Sequence, residues 1–375
     1  MRSVVHDYLA EALSELAAEN SGELPGYIPE LAGADPERLG AVFTTVDGEV
    51  YGAGDDDVEF TIQSISKPFA YALALADRGF SAVLAKVGVE PSGEAFNEIS
   101  LENETGRPRN PMINAGAITT HSLLGSEHLL PAERVDRVVR GLSAFAGRRL
   151  EVDETVCVSE MENAHRNLAS AHMLRSHNIL TGDPRDVVEG YIRQCSVLVT
   201  ARDLAVMAAT LANQGVNPVT GERGVSLFER FSSDMGLHVM EVPAAARAVV
   251  RSNHVLGRGA GAVRVLQAQG GIRFAGAERI VREFIGANFD ESRVVLDFTL
   301  VSSLDDVARR MLLELARRLA GDGLGIYFVD PEPIIPDPDR GDGVLVPVIA
   351  DAEHLLRDPA RKAEGSRKGV SAADP

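Results

Sequence analysis

The stretch "VEFTIQSISKPFAYALALADRG", residues 58 to 79, constrains this chain more than any other. It opens with the alternation of a short strand. At Ser64 the apolar spacing changes to the three-and-four rhythm of a helix. Pro68 fixes where that helix begins, because its missing N–H would otherwise have bonded back to residue 64. The helix therefore starts near Ser64, runs to Arg78 and stops at Gly79. A serine and a lysine three residues apart then share one face of its first turn.

The flanking sequence reads as a mixed α and β chain. "AVFTTV" (41–46) and "VEFTI" (58–62) are expected strands around the turn-rich "DGEVYGAGDDD". Residues 91–111 are loop-like, punctuated by Pro91, Gly93, Gly106, Pro108 and Pro111. Helical spacing follows at 112–124, 131–146, 161–178, 183–192 and 201–214, and "NQGVNPVTGERG" stops it. Near residue 236 the composition turns to Ala, Arg and Gly. A second αβ alternation comes next, with strands at 263–267, 272–274, 293–298 and 325–329 and helices at 275–286 and 303–320. The expected division is a domain over 1–242, a linker over 243–262, a small α/β domain over 263–355 and a polar, disordered tail over 356–375.

Composition excludes several classes. The formal charge of −18 repels nucleic acid and anionic membranes. No apolar run reaches the length of a membrane span. The first twenty residues space their apolar positions as an amphipathic helix does, unlike a signal peptide. Two cysteines, Cys157 and Cys195, give no disulfide framework, so a cytoplasmic protein is the simplest expectation. No H-x-x-x-H with a neighbouring Glu and no Cys/His cluster is present, so neither a metal nor another cofactor is expected. His165, His172 and His177 read as ordinary helix histidines.

Lysine usage is unusual. Lys and Arg total 37, yet only Lys67, Lys86, Lys362 and Lys368 are lysines. Chance would supply roughly 0.3 Ser-x-x-Lys pairs at such usage. Lysine can lose its proton and act as a base, which arginine effectively cannot. A serine hydroxyl needs such a base to become a nucleophile, and burial lowers a lysine's pKa toward that role. Spacing alone leaves two readings open: a nucleophile with its base, or the commoner N-capping serine followed by a snorkelling lysine. The Ser-Asp-Asn and Lys-Thr-Gly elements that accompany Ser-x-x-Lys in β-lactamases are absent.

Seven blocks decide between them. "GYIPELA", "TIQSISKPFAYALAL", "VEPSGEAFN", "NPMINAGAI", "SEMENAHRN", "YIRQCSV" and "MAATLANQGVNPVTGER" together resemble the serine-dependent glutaminase family, in its order and spacing, over about residues 24–223. The resemblance implies an α+β fold of the β-lactamase/transpeptidase type and hydrolysis of L-glutamine to L-glutamate and ammonia without a metal. It implies Ser64 as nucleophile and Lys67 as base. Tyr27, Asn114, Glu160, Asn167 and Tyr191 fall on the family's substrate-contacting positions. Glu160 can pair an ammonium, the two asparagines can serve a carboxylate and an amide, and the tyrosines can donate near the reacting centre. Taken singly, each of these five also reads as an ordinary turn, surface or packing residue. The resemblance also implies a homo-oligomer, a dimer or tetramer.

After "TGERGV" the family's Gly-Met-Tyr-Asp and Lys-Ser-Gly-Val segments have no counterpart, so several dozen residues are absent near Gly224–Val225. With them would go a substrate-site tyrosine and a valine N–H of the oxyanion hole. The alternative function is therefore an inactive or weakly active relative that binds ligand or regulates through its C-terminal domain. That domain, with "RVVLDFTLVSSLDDVARRMLLELARRL" at 293–319, is similar to the STAS family. Its helix-leading turn reads Asp305-Asp306-Val307-Ala308 where anti-sigma antagonists carry a phosphorylated serine.

Overall fold

The computed structural model describes residues 3–19, 21–91, 93, 101–224, 250–256, 262–285, 293–330, 349 and 352. The join near Gly224–Val225 and the tail over 356–375 lie outside or at the limit of these residues. The fold falls into two compact units: Leu9–Val239, and Met1–Tyr8 together with Met240–Pro375. The first eight residues thus belong with the second unit and not with the remainder of 1–242.

The first unit is mostly helical. In chain order it holds α1 (Val4–Leu16, beyond its first turn), α2 (Pro29–Ala32), β1 (Gly40–Thr44), β2 (Val50–Gly54), β3 (Phe60–Thr61), a 3₁₀ turn (Gln63–Ile65) and α3 (Ser66–Arg78). There follow α4 (Phe80–Leu84), α5 (Asn114–Ser122), α6 (Pro131–Ala146), α7 (Glu154–Glu162), α8 (His165–Ser176), α9 (Pro184–Cys195), β4 (Leu198–Val199) and α10 (Ala201–Ala212). Asp153, Asp183 and Thr200 cap α7, α9 and α10 by accepting from backbone N–H groups of the first turn. One core packs Phe69, Leu73, Leu142, Phe145 and Met207 across α3, α6 and α10; a second packs Ile118, Leu174, Val188 and Ile192 across α5, α8 and α9. The rings of Phe69 and Phe145 lie 5.3 Å apart in the first of these.

The β structure differs from the sequence expectation. β1 pairs antiparallel with β2, from Gly40↔Gly54 to Thr44↔Val50, so the returning strand lies inside the segment read as turn. The tight turn between them uses Gly48 at φ +101°, where a Cβ would meet the Pro218 carbonyl oxygen at 2.4 Å. The expected 58–62 strand shrinks to β3, which pairs with β4 through Phe60↔Val199 and Thr61↔Leu198. Among the described residues these two-stranded pieces are separate sheets, and no continuous sheet runs beside Ser64. The expected helix at 161–178 begins at His165, and α7 precedes it where no helix was expected.

The second unit is a four-stranded sheet in the order β5-β6-β7-β8, formed by Val250–Leu256, Val263–Ile272, Arg293–Leu304 and Gly325–Val329. β5 is antiparallel to β6, and β6, β7 and β8 are mutually parallel. Parallel neighbours need a crossover, supplied by α11 (Phe274–Ile285) and α12 (Asp306–Gly321). β5 corrects the expected linker over 243–262. The expected strand at 272–274 does not form: β6 runs on to Ile272 and α11 starts at Phe274. Asp305 caps α12, its carboxylate accepting from the Ala308 N–H at 2.7 Å. Val4 and Val5 are buried in this unit, the ring of Tyr8 lies 5.9 Å from that of Phe274, and Asp7 pairs with Arg318. Among the described residues no helix is long and apolar enough to cross a membrane.

Candidate active site

Ser64 sits in the 3₁₀ turn between β3 and α3. Two constraints hold that turn. β3 is tied to β4, and the Ile62 N–H donates to the Val197 carbonyl at 2.8 Å, which anchors the segment to the chain just beyond α9. Gln63 adopts a left-handed φ of +49°, uncommon for a residue with a side chain. α3 then begins at Ser66, and Pro68 occupies its first turn, as the missing N–H requires. Ser64 and Lys67 stand three residues apart across this junction, about one turn along the chain. They differ sharply in exposure: Ser64 is exposed, and Lys67 is 3% exposed.

The Lys67 amine is anchored by hydrogen bonds. It donates to the Met112 carbonyl at 2.9 Å and to Asn114 Oδ1 at 2.8 Å. Both come from the turn that opens α5. There Asn110 Oδ1 accepts from the Met112 and Ile113 N–H groups, closing the turn. Gly116 lets the helix approach it, since a Cβ there would lie 1.9 Å from the Asn110 carbonyl oxygen. Burial pushes the Lys67 pKa below its ordinary 10.5. Asn114 passes the orientation on, donating from Nδ2 to Asn167 Oδ1 on α8 at 3.3 Å.

The other side of Ser64 is lined by α7 and α9. The Tyr191 phenol, 2% exposed, lies near Ser64. Burial raises its pKa well above 10, so the phenol keeps its proton. Glu160 on α7 is half-buried, and its carboxylate accepts from Gln63 Nε2 at 3.4 Å. Burial raises its pKa above 4.5, and no cation pairs with it among the described residues. Tyr27, 54% exposed, has its pKa raised by burial and then by the charge of Glu160. All seven residues singled out in the sequence thus converge within the first unit.

Five neighbours escaped the sequence reading. Gln63 bonds Glu160 from a position adjacent to Ser64. Behind Tyr191 lie Cys195, Ser66, Gln194 and His121, all buried. Cys157 and Cys195 are unbridged and buried, and the Cys195 thiol is pushed up to about 12 by burial. No group of three metal-ligating side chains occurs among the described residues.

An accessible hydroxyl beside a buried amine with lowered pKa is equipped for acyl transfer through a serine. An unpaired carboxylate nearby favours a substrate that carries a cation. The comparisons narrow this class. The model of the glutaminase family matches residues 22–238. A glutaminase of Corynebacterium efficiens is 38% identical over 418 aligned positions, covering 94% of this chain and 98% of that protein. Glutaminase 2 of Bradyrhizobium diazoefficiens is 50% identical over 225 residues, covering 60% of this chain and 36% of its own. The crystal structure of Mglu superposes with a TM-score of 0.59 at 40% identity, over 89% of this chain and 100% of that one. The chain belongs to the glutaminase family.

Proposed function

We propose that this protein hydrolyses L-glutamine to L-glutamate and ammonia, with Ser64 as nucleophile and Lys67 as its base. The observation that carries the reading is the pair of bonds on Lys67. A neutral amine has two N–H donors and one lone pair. As a neutral base Lys67 can therefore keep its bonds to the Met112 carbonyl and Asn114 Oδ1. Ser64 Oγ then attacks the side-chain carboxamide carbon and Lys67 takes its proton. Collapse of the tetrahedral intermediate breaks the C–N bond, and the leaving nitrogen receives that proton and departs as ammonia. Water attacks the acyl ester, and glutamate leaves with the hydroxyl of Ser64 restored.

Glu160 suits the α-ammonium of the substrate, being a half-buried carboxylate with an amide partner and no cation. Asn167 and Asn114 suit the α-carboxylate and the amide, and Tyr191 and Tyr27 complete the rim. L-glutamate-bound crystals of Mglu, 37% identical to this chain, are in keeping with such a pocket. A coupled ammonia assay on purified protein, with Ser64→Ala as control, tests the reading. Ser64-independent ammonia release, or none, overturns it.

A second reading has its own support. The alignment with the C. efficiens protein runs over 418 positions against 375 residues in this chain, so at least 43 positions (418 minus 375) lack a counterpart here. That agrees with a segment absent near Gly224–Val225. Removing one oxyanion donor costs roughly 10²–10³ in rate, so on this reading the enzyme is weakly active or binds ligand only. A glutamine-dependent rise in melting temperature without turnover would favour it. The parallel sheet with crossover helices supports a STAS-like second unit with a binding or regulatory role. Excising 263–355 without change in activity, assembly or ligand response would count against that role. A homo-oligomer in the cytoplasm is the accompanying proposal; sedimentation giving a monomer would count against the first part.

A further inference from the structure

Glu160 stands on the thinly packed half of its helix. α7 buries only Val156 and Cys157, both near its start. That end is also fixed by the Asp153 cap and by the pairing of Glu154 with Arg193 at 2.7 Å. From Val158 onward no side chain of α7 is fully buried, and Met161 packs only in part against the core. What ties this half to distant parts of the chain is polar. Gln63 Nε2 donates to Glu160 Oε2 at 3.4 Å. Ser159 Oγ donates to Glu30 Oε1 at 2.8 Å, the shorter of the two bonds, from 129 positions away.

Glu30 belongs to α2, a single turn that buries none of its own residues. Ile28, 1% exposed, anchors the start of that turn, and Tyr27 comes just before it. The bond from Ser159 to Glu30 therefore ties the segment that carries Tyr27 to the helix that carries Glu160. Glu30 Oε2 is itself buried and finds no hydrogen-bond partner among the described residues. An unpaired buried acceptor costs stability, and an apolar contact would fasten α2 without that cost. What the carboxylate supplies is direction. Where packing is thin, a directional bond at Ser159 fixes the rotation of α7 about its axis. The adjacent residue, Glu160, is aimed by the same rotation.

We propose that Glu30 and Ser159 are positioning residues for substrate selection, their hydrogen bond aiming the Glu160 carboxylate at the α-ammonium. The proposal rests on Glu160 receiving that ammonium. Neither residue touches substrate; both act through α7. They set the preference for ligands that carry an α-amino group and leave the remainder of the pocket as it is.

The test titrates L-glutamate and glutarate, which lacks the α-amino group, into the full-length protein by calorimetry, so that it reads binding whether or not turnover is fast. Wild type is compared with Ser159→Ala, Glu30→Ala, the double variant, Glu30→Gln and Glu160→Gln, each checked by thermal melting. Wild type should prefer L-glutamate. Ser159→Ala and Glu30→Ala should each lower that preference about fivefold, the scale of one lost hydrogen bond. The double variant should lose no more than either single one, since one bond is removed in all three. Affinity for glutarate should stay within about twofold, because no contact to the rest of the ligand is removed. Glu30→Gln, whose amide oxygen still accepts from Ser159, should keep most of the preference. Should Ser159→Ala not fold, Ser159→Cys, of similar shape with a weaker donor, carries the same expectation. A folded Ser159 variant with wild-type preference overturns the proposal, as does an equal loss of affinity for both ligands. Glu30→Gln as poor as Glu30→Ala overturns it too, because the charge of Glu30 would then act directly. Wild type that binds L-glutamate no better than glutarate overturns the reading of Glu160 itself, and the role of Glu30 and Ser159 with it.

Discussion

The Lys67 amine and the Asn114 amide oxygen lie 2.8 Å apart, with the lysine buried and the asparagine at the opening of α5. This bond makes Asn114 a control on the protonation of Lys67. Replacing Asn114 with aspartate sets a negative charge beside the amine and favours its charged form. The acid limb of kcat/KM for Asn114→Asp should move to higher pH than in wild type, and activity at pH 7 should fall by about tenfold or more. A pH profile with an unmoved acid limb would remove Lys67 from the role of base.

The wild-type profile follows from the same shift. Burial lowers the Lys67 pKa from 10.5, so the neutral base is reached earlier on raising the pH than for an ordinary lysine. Activity should rise as pH increases through that lowered value, with its half-point below 10.5. Lys67→Arg, which effectively cannot deprotonate, should lose at least ~100-fold at every pH tested.

Glu160 should act on substrate affinity. Its pKa lies above 4.5 because burial disfavours the carboxylate. A cation is bound only by the ionised form, so KM for glutamine should rise as pH falls through that raised value. Glu160→Gln should raise KM by about tenfold or more, with a smaller change in kcat. Steady-state kinetics separate the two parameters.

Gly116 should matter for fold and site together. A Cβ 1.9 Å from the Asn110 carbonyl oxygen forces apart the turn that carries the Met112 and Asn114 acceptors. Gly116→Ala should cost about 2 kcal/mol or more by overpacking and lower kcat as Lys67 loses its partners. Denaturant melts and turnover on the same preparation check both effects.

Much of this was legible in the chain. α6 starts at Pro131 and ends before Gly147 because proline suits a first helical turn and glycine takes the left-handed C-cap, here at φ +75°. The sequence blocks led to Tyr27, Lys67, Asn114, Glu160, Asn167 and Tyr191 but gave no role to Gln63, Ser66, Gln194, Cys195 or His121. What stayed hidden depends on partners distant in sequence. β2, "VYGAG", is glycine-rich and lacks strand alternation, and pairing with β1 alone makes it a strand. α7 has no apolar stripe, with only Val156 and Cys157 buried, and is declared mainly by its Asp153 cap. β5 lies in a stretch whose Ala, Arg and Gly content resembles a linker. His121 and Gln194 are 73 positions apart, and neither carries a local signal of the other.

The most direct test of the account is ammonia release from glutamine by purified wild type and Ser64→Ala, assayed side by side. Ser64 is exposed, so the variant should melt as wild type does. The account predicts Ser64-dependent ammonia release, lowered at least ~10³-fold in the variant. Equal release by the two proteins would contradict it.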